Sequence, residues 1–140
     1  ARSKYSEELK NRLLFKNGMP CFDWMILGMG DDGHTASLFL GDPMLKSTRY
    51  AEIVNHPETG QERITLTFPV INSSKRISIL VSGEAKAKMI AHVFSDVKAK
   101  DAIQYPIEFI KPIDDGVIEW YIDSEAVGSL KFDSKYHTII

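Results

Sequence analysis

The sequence predicts an α/β domain with a mostly parallel sheet flanked by helices. Two observations carry this. Residues 22–27, 77–81 and 117–122 are short, largely apolar runs, a pattern that suits strands covered on both faces. Helix and turn signals separate them, and strand–loop–helix units in series fold into α/β sheets. A chain of 140 residues, 44% hydrophobic and 26% charged, is the size and composition of one ordinary globular domain.

Taken in order, residues 5–14 predict a helix with Tyr5, Leu9 and Leu13 on one face, ended by Asn17-Gly18 and Pro20. Residues 22–27 are the first buried strand, with Asp23 at its solvated start. Residues 35–40 can make at most two helical turns before Gly41-Asp42-Pro43, and 44–48 read as loop. Residues 50–54 are a strand, and His56-Pro57-Glu58-Thr59-Gly60 is turn chemistry. Residues 63–68 alternate strictly, with Ile64, Leu66 and Phe68 on one face, so they predict another strand. Pro69 then opens a short helix or bend.

Strand 77–81 turns at Ser82-Gly83 into a helix over 84–94 whose inward stripe is Ala87, Ile90, Ala91 and Phe94. Residues 98–101 are an exposed connection, 103–112 extended packing with two prolines, and 114–116 a turn. The last strand is 117–122, after which Asp123-Ser124 caps a short helix through Val127. Residues 129–140 read as a tail, which leaves 1–128 as one unit without repeats.

A net charge of −2 argues against a nucleic-acid surface spread over the domain, though not against a local basic pocket. No apolar run approaches the roughly 20 residues that span a bilayer, so no membrane partner is expected. The single Cys21 rules out an internal disulfide and fits a reducing cytoplasm. Cys21 precedes a buried strand and is read as packing, not as a nucleophile. Among His34, His56, His92 and His137 no pair has metal-ligand spacing, so no metal is expected. The chain opens without Met, inside a predicted helix and without a signal peptide, and reads as a piece of something longer.

The chemistry concentrates where the first buried strand ends. Gly28-Met29-Gly30-Asp31-Asp32-Gly33-His34 puts three glycines, two aspartates and a histidine at the edge where α/β sheets bind ligands. The run matches G-x-G-x-x-G, and Glu52 lies where a ribose-binding acid would sit. Three features oppose dinucleotide binding: the following helix is too short, two carboxylates face the pyrophosphate position, and His34 has no role in such a cradle. A catalytic reading uses every residue. Asp32 two positions from His34 can orient the ring and raise its basicity, and the glycines let a substrate approach free backbone N–H groups. A histidine that merely caps or packs the next helix explains the spacing equally well. Ser37 lies outside G-x-S-x-G, which argues against a serine hydrolase.

The segment from Gly28 to Phe39, Gly-Met-Gly-Asp-Asp-Gly-His-Thr-Ala-Ser-Leu-Phe, resembles the signature of the 6-phosphogluconolactonases. Arg63-Ile64-Thr65-Leu66-Thr67-Phe68-Pro69-Val70-Ile71-Asn72 and Leu80-Val81-Ser82-Gly83-Glu84-Ala85-Lys86-Ala87 resemble two more of the family's segments. Tyr105-Pro106 and Trp120-Tyr121-Ile122-Asp123 continue the likeness, so it covers about residues 5–128. Glucosamine-6-phosphate isomerase/deaminase shares the D-G-H core, but Thr35 to Phe39 sides with the lactonases. Leu40 stands where the lactonases usually have Pro, on the side of the expected helix away from His34.

The resemblance implies a Rossmann-like fold, of which this chain would be the C-terminal part. The family's upstream glycine- and serine-rich phosphate loop and its acidic D-[DE]-R-x-V-P segment are not among these residues. It implies hydrolysis of 6-phosphoglucono-1,5-lactone, a small phosphorylated sugar lactone, in the oxidative pentose phosphate pathway without a cofactor. His34 would be the general base, and Asp32 would orient it or contact the sugar. Gly28, Gly30 and Gly33 would shape the substrate loop. Lys86, in the first turn of a helix, and Arg63 would grip the phosphate. An amino-sugar-phosphate isomerase/deaminase and a non-catalytic sugar-phosphate-binding module are the alternatives. Half of the expected phosphate site is missing, so the chain alone is expected to be inactive.

Overall fold

Three parallel strands form the centre of the molecule: β3 (Met25–Gly28), β6 (Arg76–Val81) and β7 (Val117–Ile122), in the order β3-β6-β7. Each is one of the apolar runs of the sequence. Register aligns Met25 with Ile77 and Ile118, and Leu27 with Ile79 and Trp120. These side chains and Val81 share one face and meet Leu38, Phe68, Ile71, Met89, Ile90, Ile107 and Ala126 in a single core. The computed structural model describes residues 1–131. The segment 132–140, with most of the expected tail and His137, lies outside the described residues.

The remaining elements are short. Helix α1 (Arg2–Arg12) precedes a hairpin of β1 (Leu14–Lys16) and β2 (Met19–Cys21). A second antiparallel hairpin pairs β4 (Ala51–Asn55) with β5 (Glu62–Leu66), and α2 (Phe68–Asn72) follows it with Pro69 in the first turn, as expected. Helix α3 (Ala87–Val93) continues a 3-10 turn over Glu84–Lys86, and α4 (Ser124–Val127) is capped by Asp123 as the sequence predicts. Among the described residues no helix is long and apolar enough to cross a membrane.

Several expectations are corrected. Asn17-Gly18 does not simply end a helix. Both residues have positive φ, 50° and 77°, the conformation of a tight two-residue hairpin turn, and they join β1 to β2. Residues 35–40 are not a helix. Ala36 has φ 51°, which breaks a right-handed helix, and Leu38 N–H donates to Thr35 O in a tight turn. Leu40 is therefore an exposed turn residue. On β5 the buried side chain is Thr65, whose Oγ1 accepts the Ser37 N–H, while Ile64 is exposed. On α3 the buried residues are Met89 and Ile90, and Ala91 faces solvent. Residues 106–109 form a 3-10 turn in place of extended chain. The expected cover on both faces of the central sheet is absent: Ile26 and Leu80 stand open to solvent among the described residues.

Candidate active site

Parallel strands end on one edge, so their C-terminal loops converge. Gly28 is level with Leu80 and Tyr121, and Val81 with Ile122. The Met29–His34 loop, the Ser82–Gly83 turn and Asp123 therefore lie side by side, on the edge where such sheets take ligands.

The glycine loop is held from within. Gly30 N–H donates to His34 O at 2.9 Å and Gly33 N–H to Gly30 O at 3.0 Å. Asp32 N–H donates to the Asp31 carboxylate at 3.1 Å, and Thr35 Oγ1 donates to Gly28 O at 2.8 Å. The amides of Gly30, Asp32, Gly33 and His34 are thus all engaged inside the loop. The loop closes on itself, and these groups do not stand free for a substrate oxygen.

Asp32 and His34 form a close carboxylate–imidazole pair. Asp32 Oδ1 lies 2.5 Å from His34 Nδ1 and also accepts the His34 backbone N–H at 3.1 Å. One carboxylate oxygen therefore fixes both the ring and its main chain. Partial burial works against the charge on Asp32, but the His34 backbone and ring outweigh it and hold the carboxyl below the usual aspartate range. His34 is half-buried, so the ring is seated yet reachable.

Lys86 lies in the turn that precedes α3. Met89 lies one helical turn after Lys86, and a Cβ at Gly33 would lie 3.0 Å from Met89 Cε, so one face of α3 abuts the loop. Lys86 is half-buried, Lys88 is exposed, and no hydrogen bond or ion pair engages the Lys86 ammonium among the described residues. The turn before it is braced by Asp123. Asp123 accepts Ser82 Oγ–H at 2.5 Å and Gly83 N–H at 3.0 Å, and these bonds, the serine's first, hold it below the usual aspartate range.

Arg63 stands on β5, half-buried, with its guanidinium on the Gln61 side chain at 3.3 Å. It shares a strand face with Thr65, whose Oγ1 accepts the Ser37 N–H at 3.1 Å just past His34. No hydrogen bond or ion pair joins Arg63 or Lys86 to Asp32 or His34 among the described residues. Glu52 is not a ligand-facing acid. It is buried beneath Arg2 at 3.2 Å and Ser47 at 2.6 Å, and the serine chiefly keeps its carboxyl below the usual range.

Comparison with known proteins gives the family and the fold. A family model, glucosamine-6-phosphate isomerases/6-phosphogluconolactonase, matches residues 1–120. The chain belongs to this family. It is 43% identical over 124 residues to a 6-phosphogluconolactonase of Haemophilus influenzae, covering 89% of this chain and 50% of the relative. It is 42% identical over 117 residues to a probable chloroplastic 6-phosphogluconolactonase of Oryza sativa, covering 81% of this chain and 35% of the relative. A crystal structure of a devB protein superposes with TM-score 0.85 at 35% identity, over 93% of this chain and 53% of that one. The 6-phosphogluconolactonase of Trypanosoma brucei superposes with TM-score 0.79 at 25% identity, over 93% and 52%. The chain spans about half the length of the Haemophilus influenzae relative and of both superposed structures.

The structure adds supports that residue spacing could not reveal in this member of the glucosamine-6-phosphate isomerase/6-phosphogluconolactonase family. Phe39 is buried against the His34 ring, 4.8 Å between centroids, and His56 meets the Phe39 ring edge-on at 5.1 Å. Ile107 N–H donates to Gly33 O at 2.9 Å, and Tyr105 packs over Gly33, so the 105–109 segment clamps the loop from behind. The only sequence signals for these contacts were the Tyr105-Pro106 pair and the Phe39 that ends the first motif.

Proposed function

We propose that this chain carries the base-bearing half of a 6-phosphogluconolactonase, which hydrolyses 6-phosphoglucono-1,5-lactone to 6-phosphogluconate. The observation that carries the reading is the Asp32–His34 pair with Oδ1 and Nδ1 2.5 Å apart. An ionised carboxylate only accepts hydrogen bonds, so the proton sits on Nδ1 and Nε2 keeps its lone pair. Nε2 takes a proton from water as the water oxygen bonds to the lactone carbonyl carbon, and the carbonyl electrons move onto oxygen. The tetrahedral intermediate then expels the ring oxygen, which takes the proton back from Nε2. One water is added, one C–O bond breaks and nothing is oxidised, so the chemistry calls for no cofactor.

Lys86 and Arg63 supply positive charge for the substrate phosphate on this reading. The rest of the phosphate site belongs to the half that the relatives carry outside the match. The 140-residue chain by itself therefore turns lactone over far more slowly than the same chain joined to such a half. The reaction belongs to the oxidative pentose phosphate pathway in a reducing compartment, the cytoplasm, where the free thiol of Cys21 persists.

The test is lactone hydrolysis by an assembled enzyme, this chain joined to the missing half of the Haemophilus influenzae relative. His34→Ala lowers kcat by at least about 10²-fold, the usual contribution of a general base. An unchanged rate rejects the role of His34. Turnover of an amino-sugar phosphate in place of the lactone rejects the substrate.

A further inference from the structure

Residues 105–109 hold the peptide between Gly33 and His34. Ile107 N–H donates to Gly33 O at 2.9 Å, and at the other end of that planar unit His34 N–H donates to Asp32 Oδ1 at 3.1 Å. The same Asp32 oxygen holds the His34 ring. The 3-10 turn that supplies Ile107, Pro106–Phe109, also borders an open cavity of about 500 Å³, walled by Lys98, Ile103, Ile107, Glu108, Ile118 and Trp120. Apolar packing does not enclose the turn, and its polar ties centre on Glu108, a side chain only 10% exposed. Oε2 accepts the Tyr105 backbone N–H at 2.8 Å, which closes the turn at its start. Oε1 accepts from the Lys98 ammonium. From α3, His92 sets Nε2 3.3 Å from Oε2 and its ring edge-on to Tyr105, 5.0 Å between centroids. That Nε2 has no hydrogen bond among the described residues, so Glu108 is the acid it faces. Burial works against the charge on Glu108, but Lys98, the Tyr105 N–H and His92 outweigh it and hold the carboxyl below the usual glutamate range.

We propose that Glu108 is a positioning residue for His34. Its carboxylate ties the 105–109 turn to Lys98 and to His92 of α3, and the turn, through Ile107 N–H, fixes the Gly33–His34 peptide. A planar peptide cannot move at its oxygen without moving at its nitrogen, so a slack turn releases the His34 N–H from Asp32 and turns the ring with it. The Glu108 carboxylate is bonded to Tyr105 and Lys98, not to Asp32 or His34, and acts only through this peptide. The turn before Lys86 is braced by Asp123 instead. The effect of Glu108 therefore falls on the chemical step and leaves phosphate binding alone. The kinetic part of this inference rests on the lactonase reading given above. The structural part, from Glu108 to the His34 ring, stands without it.

The test is made in the assembled enzyme, this chain joined to the missing half of the Haemophilus influenzae relative. Glu108→Ala is expected to lower kcat about 10–100-fold with KM within about twofold of wild type. Hydrogen exchange at the Ile107 amide quickens, and the His34 Nδ1–H resonance shifts in NMR spectra. Glu108→Gln keeps an acceptor for the Tyr105 N–H and turns its NH₂ toward Lys98, whose long side chain can swing away. It recovers kcat to within about threefold of wild type. Lys98→Ala removes one tie from a partly exposed position, and moves the same readouts in the same direction by about two- to fivefold, even where Glu108→Ala fails to fold. Lys111→Ala, an exposed side chain on the same cavity wall, leaves all three readouts unchanged. Far-UV circular dichroism confirms that each variant is folded. A folded Glu108→Ala enzyme with wild-type kcat and wild-type Ile107 exchange overturns the proposal. So does a loss of kcat with no change at Ile107 or His34, since Glu108 would then act by another route. If His34→Ala leaves lactone hydrolysis unchanged, the reading of His34 as the base fails, and Ile107 exchange and the His34 resonance still decide the role of Glu108.

Discussion

A Cβ on Gly30 would lie 2.2 Å from His34 Nδ1 and 2.5 Å from Asp32 Oδ1. The absent side chain of Gly30 leaves the space that the Asp32–His34 pair occupies. The Gly30 backbone is not in the left-handed region, so alanine fits the chain conformation there. The His34 ring is the far end of a movable side chain and can swing aside. Gly30→Ala is therefore expected to cost at most about 1 kcal/mol of stability. Displacing the ring by about 1 Å is enough to lower kcat of the assembled enzyme about 10²-fold. Equal losses in stability and activity would reject this account.

Asp32→Asn keeps the side-chain shape but removes the charge that favours an Nδ1–H imidazole. A loss in kcat of about 10²–10⁴-fold is expected, with KM little changed, and the tautomer is read from the ring nitrogens by NMR. The same variant alters acid stability. The folded-state pKa of Asp32 is depressed, so its contribution is full above the ordinary aspartate value and lost as pH falls through the folded value. Below about pH 4 the wild-type chain should thus lose stability more steeply than Asp32→Asn, as denaturant titrations at successive pH values will show.

Gly33 differs from Gly30. Its φ is 77°, and an added Cβ would lie 2.8 Å from Tyr105 Cβ, a short and rigid neighbour. Gly33→Ala is both strained and overpacked, and about 1–3 kcal/mol of destabilisation is expected. By calorimetry Tm should fall on the order of 5–10 °C. A shift within experimental error would mean that residues 105–109 yield easily.

The Ser82–Gly83 turn links Asp123 to Lys86. Removing the ammonium in Lys86→Ala should raise KM of the assembled enzyme about 10–100-fold at near-constant kcat, with partial recovery in Lys86→Arg. Asp123→Ala touches no substrate yet frees the turn, so it should raise KM by about tenfold. The two effects should not add in the double variant, because Asp123 acts through the position of Lys86. Additive effects would assign Asp123 to stability alone.

Much of this was legible in the residues. The three core strands are apolar runs in the sequence, and a residue's neighbours along the chain suffice to mark them. Asp123 capped its helix as expected because capping is local. The close pairing of Asp32 with His34 follows from their spacing for the same reason. The misreadings share another cause. The helix expected after His34 gave way to a turn through Ala36, where Ser37 N–H is drawn to Thr65, a residue 28 positions away. Thr65 of β5 turned inward to accept the Ser37 N–H, a partner that an alternating pattern cannot announce.

By itself, then, the sequence determined the three core strands, the β4 and β5 strands and the close spacing of Asp32 and His34, since each depends on residues within a few positions of one another. Tertiary structure alone decided that Gly30 seats the His34 ring, that Phe39 and Tyr105 brace the loop, and that Lys86 reaches the same edge as Asp32. It alone also left one face of the sheet bare. These are contacts between segments far apart in the chain, and their energies depend on which surfaces meet, information that no local pattern of residues contains.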